Sequence, residues 1–494
     1  MTLQRHTPLR RTALNPSSAP GRGGGGASSR AGEADAPSSG PSSGAAATIV
    51  DPARPLDGLE LRDWQVHAFA AWANAGCQGV VEAVTGAGKT RLAIASVRAC
   101  LARDGRALVL APTLDLVEQW RREVHRLVPD ARVGVLGGGR DDDLHDHHVV
   151  IATPHTAATV PVTPPERGIG LLVADEAHRY GAPTWGAALR PAFQMRLALT
   201  ATYERNDDGI ADVLGPYFGR VVHSYDFAAA ARDEVIAPFR IAFAATALEP
   251  SEREQYDAAD RRARDLLRTL QSVHGLSRDP RRAIQQAAEL VAHGRDGGGG
   301  GGGSAGAASA WLSAVRVRRD VAAQCAGKLE VVRQAAPGLH GRRTLVFTDT
   351  VEQAEQAAHL LTAQGLKAEE IHGDLPRDRR RIRLAQFANG NLDVVTAPRV
   401  LDEGVDVPDA DVAIVLAAFR TRRQMIQRLG RVLRRKDDGR HARLVIAHAI
   451  GTREDPSLGG HDGFLAEVVD VALAVDHLDT DAAPAALADW LGAS

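Results

Sequence analysis

The sequence predicts an α/β protein with two parallel-sheet cores in tandem and a helical insertion between them. Three observations carry this. From about 60 to 225, short apolar runs alternate with amphipathic segments: Gly79 to Val84, Ala107 to Ala111, His148 to Ala152, Leu171 to Val173 and Arg196 to Thr200. The same rhythm returns after 340, in Thr344 to Phe347, Leu392 to Thr396, Val412 to Leu416 and Ala442 to Ala447. Between these halves, 250 to 335 holds no strand-like run. It opens on Ser251-Glu252-Arg253-Glu254, a capping-box pattern, and continues through helix-forming Ala, Arg, Leu and Gln. Strands that alternate with helices pair in parallel, because each crossover returns the chain to the same end of the sheet.

Taken in order, residues 1–48 are rich in Gly, Ser, Ala, Pro and Arg and nearly devoid of large apolar side chains. Such a segment cannot offset the entropy of ordering, so a disordered tail is expected. Arginines without acids in the first twenty residues also raise an organelle transit peptide, which the interleaved Pro and Gly argue against. The expected divisions are a first core over 49–235, a helical insertion over 236–335, a second core over 336–455 and a helical extension over 456–494. The unbroken Gly297 to Gly303 run reads as a flexible loop within the insertion.

At 494 residues the chain exceeds one ordinary core, and its charged and hydrophobic fractions, 24% and 44%, are those of a soluble globular protein. A net charge of -2 excludes a globally basic nucleic-acid coat while leaving room for local basic surfaces. Cys77, Cys100 and Cys325 have no metal-ligand spacing, which fits a reducing, cytoplasmic setting. No apolar run approaches the roughly 20 residues of a membrane span, so no membrane association is expected.

Two segments carry the chemistry. Ala83-Val84-Thr85-Gly86-Ala87-Gly88-Lys89-Thr90 follows an apolar strand and opens a helix from Arg91. This is a Walker A loop, with alanine at 83 where the strict pattern has glycine. Backbone N–H groups of Thr85, Gly86, Ala87 and Gly88 would face phosphates, Lys89 would reach the β/γ oxygens, and the Thr90 hydroxyl would take a Mg²⁺ position. Asp175-Glu176-Ala177-His178 follows the apolar Ile169 to Ala174 run, so its carboxylates emerge at a strand's carboxyl end beside that loop. Asp175 would hold Mg²⁺ and Glu176 would orient and deprotonate a water. Together they imply hydrolysis of ATP with Mg²⁺.

A third signal lies in the second half. In Gln427-Arg428-Leu429-Gly430-Arg431-Val432-Leu433-Arg434, the guanidinium groups of Arg431 and Arg434 are three apart, hence on one helix face, and Gly430 permits close approach. Arginines delivered to a γ-phosphate stabilise its transition state, so these two would complete the site only when the cores close on ATP. Two basic runs, Arg377 to Arg383 and Arg420 to Arg428, read as solvated faces or, for the first, as a contact with a nucleic-acid backbone. Aromatics, at 4%, are too sparse for a base-stacking platform.

The ordered set resembles the superfamily-2 helicases, and among them the DEAH-type branch of XPB-like, UvsW-like and RadD-like DNA helicases, over roughly 58 to 450. The resemblance implies RecA-like domains. It makes Leu61-Arg62-Asp63-Trp64-Gln65 an upstream adenine-reading element through Arg62 and Gln65. Ala111 to Trp120 is similar to motif Ia and Ala152 to Thr156 to motif Ib, so Thr113 and Thr153 are candidate strand contacts. Leu199-Thr200-Ala201-Thr202 is similar to motif III, so that Thr200 and Thr202, with His178, are implied to connect the magnesium-side chemistry to strand binding. The charged Glu204 to Asp208 stretch is similar to the XPB-like loop but lacks its Arg-Glu-Asp order, and no role is carried across.

In the second half, Val346 to Asp349 resembles motif IV, and Thr396 with Leu401 to Pro408 resembles motif V. The 427–434 segment resembles motif VI. Glu403, Gly404, Asp406 and Gln427 are then implied nucleotide contacts, and Thr348, His372 and Thr396 implied nucleic-acid contacts. The implied activity is an ATP-dependent DNA helicase or translocase, moving 3′ to 5′, with single-stranded or forked DNA as partner. An RNA helicase, or a nucleotide-gated clamp working with a nuclease, stands beside it.

Overall fold

The computed structural model describes residues 58–166, 168–205, 207–296, 302–398, 409–416, 430, 432–433, 439–461 and 467–492. The tail expected at 1–48 lies outside them.

The first lobe is built on eight strands: β1 Gln78–Ala83, β2 Arg106–Leu110, β3 Val133–Gly137, β4 Arg140–Asp141, β5 Val149–Ala152, β6 Gly170–Asp175, β7 Met195–Thr200 and β8 Val221–Tyr225. They run β4-β3-β5-β2-β6-β7-β1-β8 across the sheet, parallel throughout except for the short β3–β4 pair. Val, Leu and Ala fill β2, β5 and β6, whose apolar side chains are buried on both faces, as a sheet covered by helices on each side requires. Helices Asp63–Asn74, Lys89–Leu101 and Leu114–Leu127 cover one face, and the short helices Pro154–Thr159, Ala177–Gly181 and Gly215–Phe218 with Phe193 cover the other.

Strand order decides where the motifs meet. In a parallel sheet every strand ends on the same rim, so the segments after β5, β2, β6, β7 and β1 line up along it in that order. The Walker A loop follows β1 and Asp175 ends β6. Motif III ends β7, the strand between them, with Asp175 paired to Leu199 and Glu82 to Thr200.

Among the described residues the second lobe carries seven strands, all parallel, in the order β11-β12-β10-β13-β14-β9-β15. These are β9 Phe239–Thr246, β10 Thr344–Thr348, β11 Ala368–Glu370, β12 Val394–Pro398, β13 Val412–Val415, β14 Ala442–Ala449 and β15 Ala474–Asp479. Two of them correct the expectation of helix. The 236–335 span opens on β9, which pairs with all of β14 from Phe239↔Ala442 to Thr246↔Ala449. The 456–494 span contains β15, paired with β9 from Ala474↔Arg240, before helix Ala486–Gly492. Phe239, Ile241, Phe243 and Thr246 in β9 do favour a strand, whereas β15, with two Asp, one His and one Ala among six residues, has little strand preference of its own and is held by its partner β9.

Between β9 and β10 the chain is helical, in Pro250–His274, Pro280–Asp296, Gly302–Gln324 and Ala326–Ala335. The first three share a small core of Ala263, Leu270, Ala287, Ala308 and Trp311. Gly302 begins a helix where a loop was expected, and 297–301 lie outside the described residues. Among the described residues, no helix is long and apolar enough to cross a membrane.

Candidate functional site

The site is assembled on the carboxyl rim of the first sheet. Gly86 and Gly88 take φ of 86° and 97°, a region L side chains avoid, which is why the loop needs glycine at these two positions. Ala83 is different. It ends β1 in extended backbone, fully buried, so the position that departs from the strict pattern makes no demand for glycine. The Lys89 Nζ donates to the Ala83 carbonyl at 2.8 Å. Burial pushes the Lys89 ammonium below its usual range, while Glu176 and Asp175 pull it back up. Thr85 Oγ1 is buried without a hydrogen-bond partner. A half-buried cation and an unpaired buried hydroxyl inside a loop of backbone N–H groups fit the phosphates of a nucleotide.

The upstream element is wired into this loop. Arg62 Nη1 donates to the Ala87 carbonyl at 3.0 Å and Gln65 Nε2 to the Gly88 carbonyl at 2.8 Å, while Gln65 Oε1 accepts from the Arg62 N–H at 2.8 Å. Whatever Arg62 and Gln65 bind is therefore felt by the carbonyls next to Lys89. Thr90 sits half-buried in the first turn of helix Lys89–Leu101.

Across the rim, Asp175 Oδ1 accepts the Glu176 N–H at 3.0 Å, and Oδ2 accepts the indole N–H of Trp120 at 3.0 Å. Burial raises the Asp175 carboxyl, and the Trp120 hydrogen bond and Lys89 oppose that rise. Trp120 was missed by sequence reasoning as a functional residue; its place at the end of the motif Ia stretch was the available signal. Glu176 holds φ 51°, ψ 52°, a left-handed conformation costly for a side-chain-bearing residue. Such strain, on the residue expected to activate water, marks a backbone held for its chemistry.

The DEAH turn meets motif III at the next strand end. His178 Nδ1 lies 3.1 Å from Thr200 Oγ1 and 3.6 Å from Glu176 Oε2. Thr200 Oγ1 donates to the Thr202 carbonyl at 2.7 Å and accepts the Thr202 N–H at 3.2 Å. Neighbouring strands β6 and β7 make this possible, since their ends deliver His178 and Thr200 to adjacent places.

The second lobe reaches the site through Gly430. A Cβ there would fall 2.3 Å from Thr85 Cβ and 2.8 Å from the Thr85 carbonyl, so only glycine fits against the Walker A loop. Val432 and Leu433 beyond it are buried, and the Leu433 carbonyl accepts the Ala237 N–H at 2.7 Å. Arg431, Arg434, Gln427, Glu403, Gly404 and Asp406 lie outside the described residues. A cavity of about 320 Å³ opens nearby, but Glu82, Glu204, Asp226 and Glu467 line it. Phosphates would be repelled there, which leaves the loop around Lys89 as the candidate phosphate site.

The implied nucleic-acid residues divide. Thr113 and Thr153 cap the helices that follow β2 and β5: Thr113 Oγ1 accepts from the Leu116 N–H at 3.3 Å, and Thr153 Oγ1 lies 2.9 Å from Thr156 Oγ1. They stand on one rim. Thr348 and Thr396 are fully buried, donating to the carbonyls of Thr350 at 2.9 Å and Ala354 at 2.7 Å. Their placement corrects the expectation of strand contact, because hydroxyls spent inside the lobe have no exposed donor left. His372 is also largely buried, 3.7 Å from the Asp374 carboxylate.

Residues 58–205 match the family described as "Type III restriction enzyme, res subunit", and 327–436 match "Helicase conserved C-terminal domain". The chain is 30% identical over 405 residues to the DNA 3'-5' translocase XPB2 of Sulfurisphaera tokodaii, covering 81% of this chain and 83% of that one. It is 28% identical to the putative DNA 3'-5' helicase Rad25 of Haloarcula marismortui, over 80% of this chain, and spans about half, 54%, of that relative. The Hef helicase domain of Pyrococcus furiosus superposes with a TM-score of 0.52 at 20% identity, covering 82% of this chain and 98% of that one. The structure of S. cerevisiae Dbp5 bound to RNA and ADP BeF3 gives 0.50 at 13%, covering 89% of this chain and 99% of that one. Both structures share the two-lobe fold. With the first-lobe motifs on one rim, Gly430 against the Walker A loop and the translocase likeness running through both lobes, the chain belongs to the XPB-like branch of the superfamily-2 helicases.

Proposed function

We propose that this protein is an ATP-dependent DNA translocase or helicase that moves 3′ to 5′ and serves DNA repair or recombination. The observation that carries the reading is the approach of Gly430 to Thr85, which brings a second-lobe segment onto a phosphate loop whose lysine and carboxylates belong to the first. A site built from both lobes ties hydrolysis to their relative position, and that is what a motor requires. The DNA assignment is supported by the relatives' names.

The geometry supports a role for each residue in this reading. Lys89 and the loop N–H groups hold the triphosphate, and the Arg62–Gln65 pair senses the base beside it. Asp175 and Thr90 would hold Mg²⁺, which supplies charge neutralisation on the phosphate oxygens. Glu176 orients the attacking water and accepts its proton; His178, Thr200 and Thr202 join that turn to the end of β7. By motif, Arg431 and Arg434 stabilise charge on the transferring phosphoryl group. Arg377, Arg379 and Arg381 are exposed on helix Arg377–Ala388 and suit contact with a phosphate backbone, which fixes position without reading bases.

The test is ATP turnover with single-stranded, duplex and forked DNA and with RNA, run beside strand displacement. DNA should stimulate turnover above RNA, and Lys89→Ala should lower it by at least about a hundredfold. Stimulation by RNA alone, or full activity in Lys89→Ala, overturns the reading. DNA-stimulated turnover without displacement on any fork would restrict it to translocation.

A further inference from the structure

Arg205 lies three residues past motif III, in the charged stretch whose order departs from the XPB-like loop. Its side chain is 14% exposed and sits in a slot cut by two glycines. A Cβ on Gly181 would lie 2.7 Å from Arg205 Cδ, and one on Gly209 would lie 2.7 Å from its Nε, so any other residue at either position would fill the slot. Gly181 ends the 3-10 helix Ala177–Gly181 that follows Glu176. The guanidinium reaches across to this helix, where its Nη1 donates to the His178 carbonyl. Its other edge forks onto Asp207, with Nε 2.6 Å from Oδ1 and Nη2 on Oδ2. Asp207 Oδ1 in turn accepts the Gly209 N–H at 3.1 Å, so the aspartate is anchored too.

Two links therefore join the turn after β6 to the end of β7 and the loop beyond it. One runs through the His178 imidazole to Thr200, the other through the His178 carbonyl to Arg205. They grip the same residue from its side chain and its backbone. Glu176, two residues before it in a strained left-handed conformation, has its position set by how firmly that turn is held.

We propose that Arg205 is a positioning residue for hydrolysis: it clamps the Glu176–His178 turn by its backbone and ties it to the motif III loop, with Asp207 holding the clamp in register. This rests on the ATPase reading above. The hydrogen bonds of Lys89, Arg62 and Gln65 run to the Walker A loop and to one another, away from Arg205. Loss of the clamp thus acts on the chemical step and leaves nucleotide binding alone.

The experiment measures kcat and KM for DNA-stimulated ATP hydrolysis by the full chain, with affinity for a fluorescent non-hydrolysable ATP analogue. The variants are Arg205→Ala, Arg205→Lys, Thr200→Ala and the Thr200→Ala/Arg205→Ala pair. Arg205→Ala should lower kcat by about ten- to a hundredfold, the scale of a small displacement of a catalytic group, with KM and analogue affinity within about twofold. Arg205→Lys should recover part of the loss, because an ammonium reaches the His178 carbonyl or Asp207 but cannot fork both. The double variant should lose less than the product of the single losses, since both links act through His178. Wild-type kcat in Arg205→Ala, a rise in KM at unchanged kcat, or losses that multiply would overturn the clamp. If Arg205→Ala does not fold, Arg205→Lys decides alone: an unchanged kcat refutes the proposal, a partial fall supports it. Failure of the ATPase reading itself would show separately, as absent turnover in the wild type.

Discussion

Trp120 shows what a single side chain contributes beyond the recognisable motifs. Asp175 is half-buried at the end of β6, and desolvation drives a carboxyl toward its neutral form, which is useless to a divalent cation. The indole N–H at 3.0 Å favours the ionised form and fixes which oxygen faces the site. Trp120→Phe keeps most of the volume and removes only the donor. The carboxyl pKa should then rise further, and the Mg²⁺ concentration for half-maximal ATPase should increase by about tenfold, as for other partners that orient a metal ligand. A Mg²⁺ titration of wild type and variant decides this, and coincident curves would mean that the indole only fills space. The motifs on either side were legible because their residue types and spacing are dictated by phosphate chemistry. The Trp120 contact was not, because it depends on helix Leu114–Leu127 crossing from β2 to the end of β6, a packing fact no local pattern encodes.

Elements divide along the same line. The apolar runs of β2, β5, β6, β10 and β13 are buried parallel strands, whose composition alone announces them. β9 went unread although Phe239, Ile241, Phe243 and Thr246 favour a strand, because its place beside the helical stretch hid a pairing with the far later β14; half-exposed Ala474–Asp479 carries little strand signal of its own. The motif VI segment is an intermediate case. Its residues advertised close approach, but what Gly430 approaches, the Thr85 carbonyl and Cβ, is a fact of the fold. Gly430→Ala forces a methyl group into that contact, where backbone cannot yield cheaply, and overpacking of this kind costs about 1–3 kcal/mol. The cost falls on the juxtaposition of the lobes. DNA-stimulated kcat should therefore drop by about tenfold or more while the first lobe still binds a non-hydrolysable ATP analogue. Parallel kcat and analogue-binding measurements test it, and a wild-type kcat would show that the contact has no part in turnover.

At the scale of the whole molecule, the second lobe carries a vulnerability that the first does not share to the same degree. Phe243 on β9 is ringed by His448, His461 and His477, with centroid distances of 6.2, 5.9 and 5.2 Å. Burial pushes His448 and His461 down to about 4. Lys328, 2.5 Å from Glu454, adds to that depression, and Asp455 works against it at His448. Both imidazoles are thus neutral in the folded lobe at pH 7. An unfolded histidine titrates near 6.5, so between about pH 6.5 and 4 the unfolded chain binds more protons than the folded one. Stability is full above about 6.5 and is lost as the pH falls toward 4. At pH 5 the loss is on the order of 2 kcal/mol for each histidine. β9 lies between β14 and β15, so protonation there loosens the sheet on which Gly430 and its neighbours depend. Thermal unfolding followed at pH 7 and pH 5 should show the midpoint falling, and His448→Gln should shrink the difference between the two pH values even if it lowers both midpoints. Equal midpoints at the two pH values would mean that water reaches these rings, and acid loss of ATPase would then have to come from the catalytic carboxylates instead.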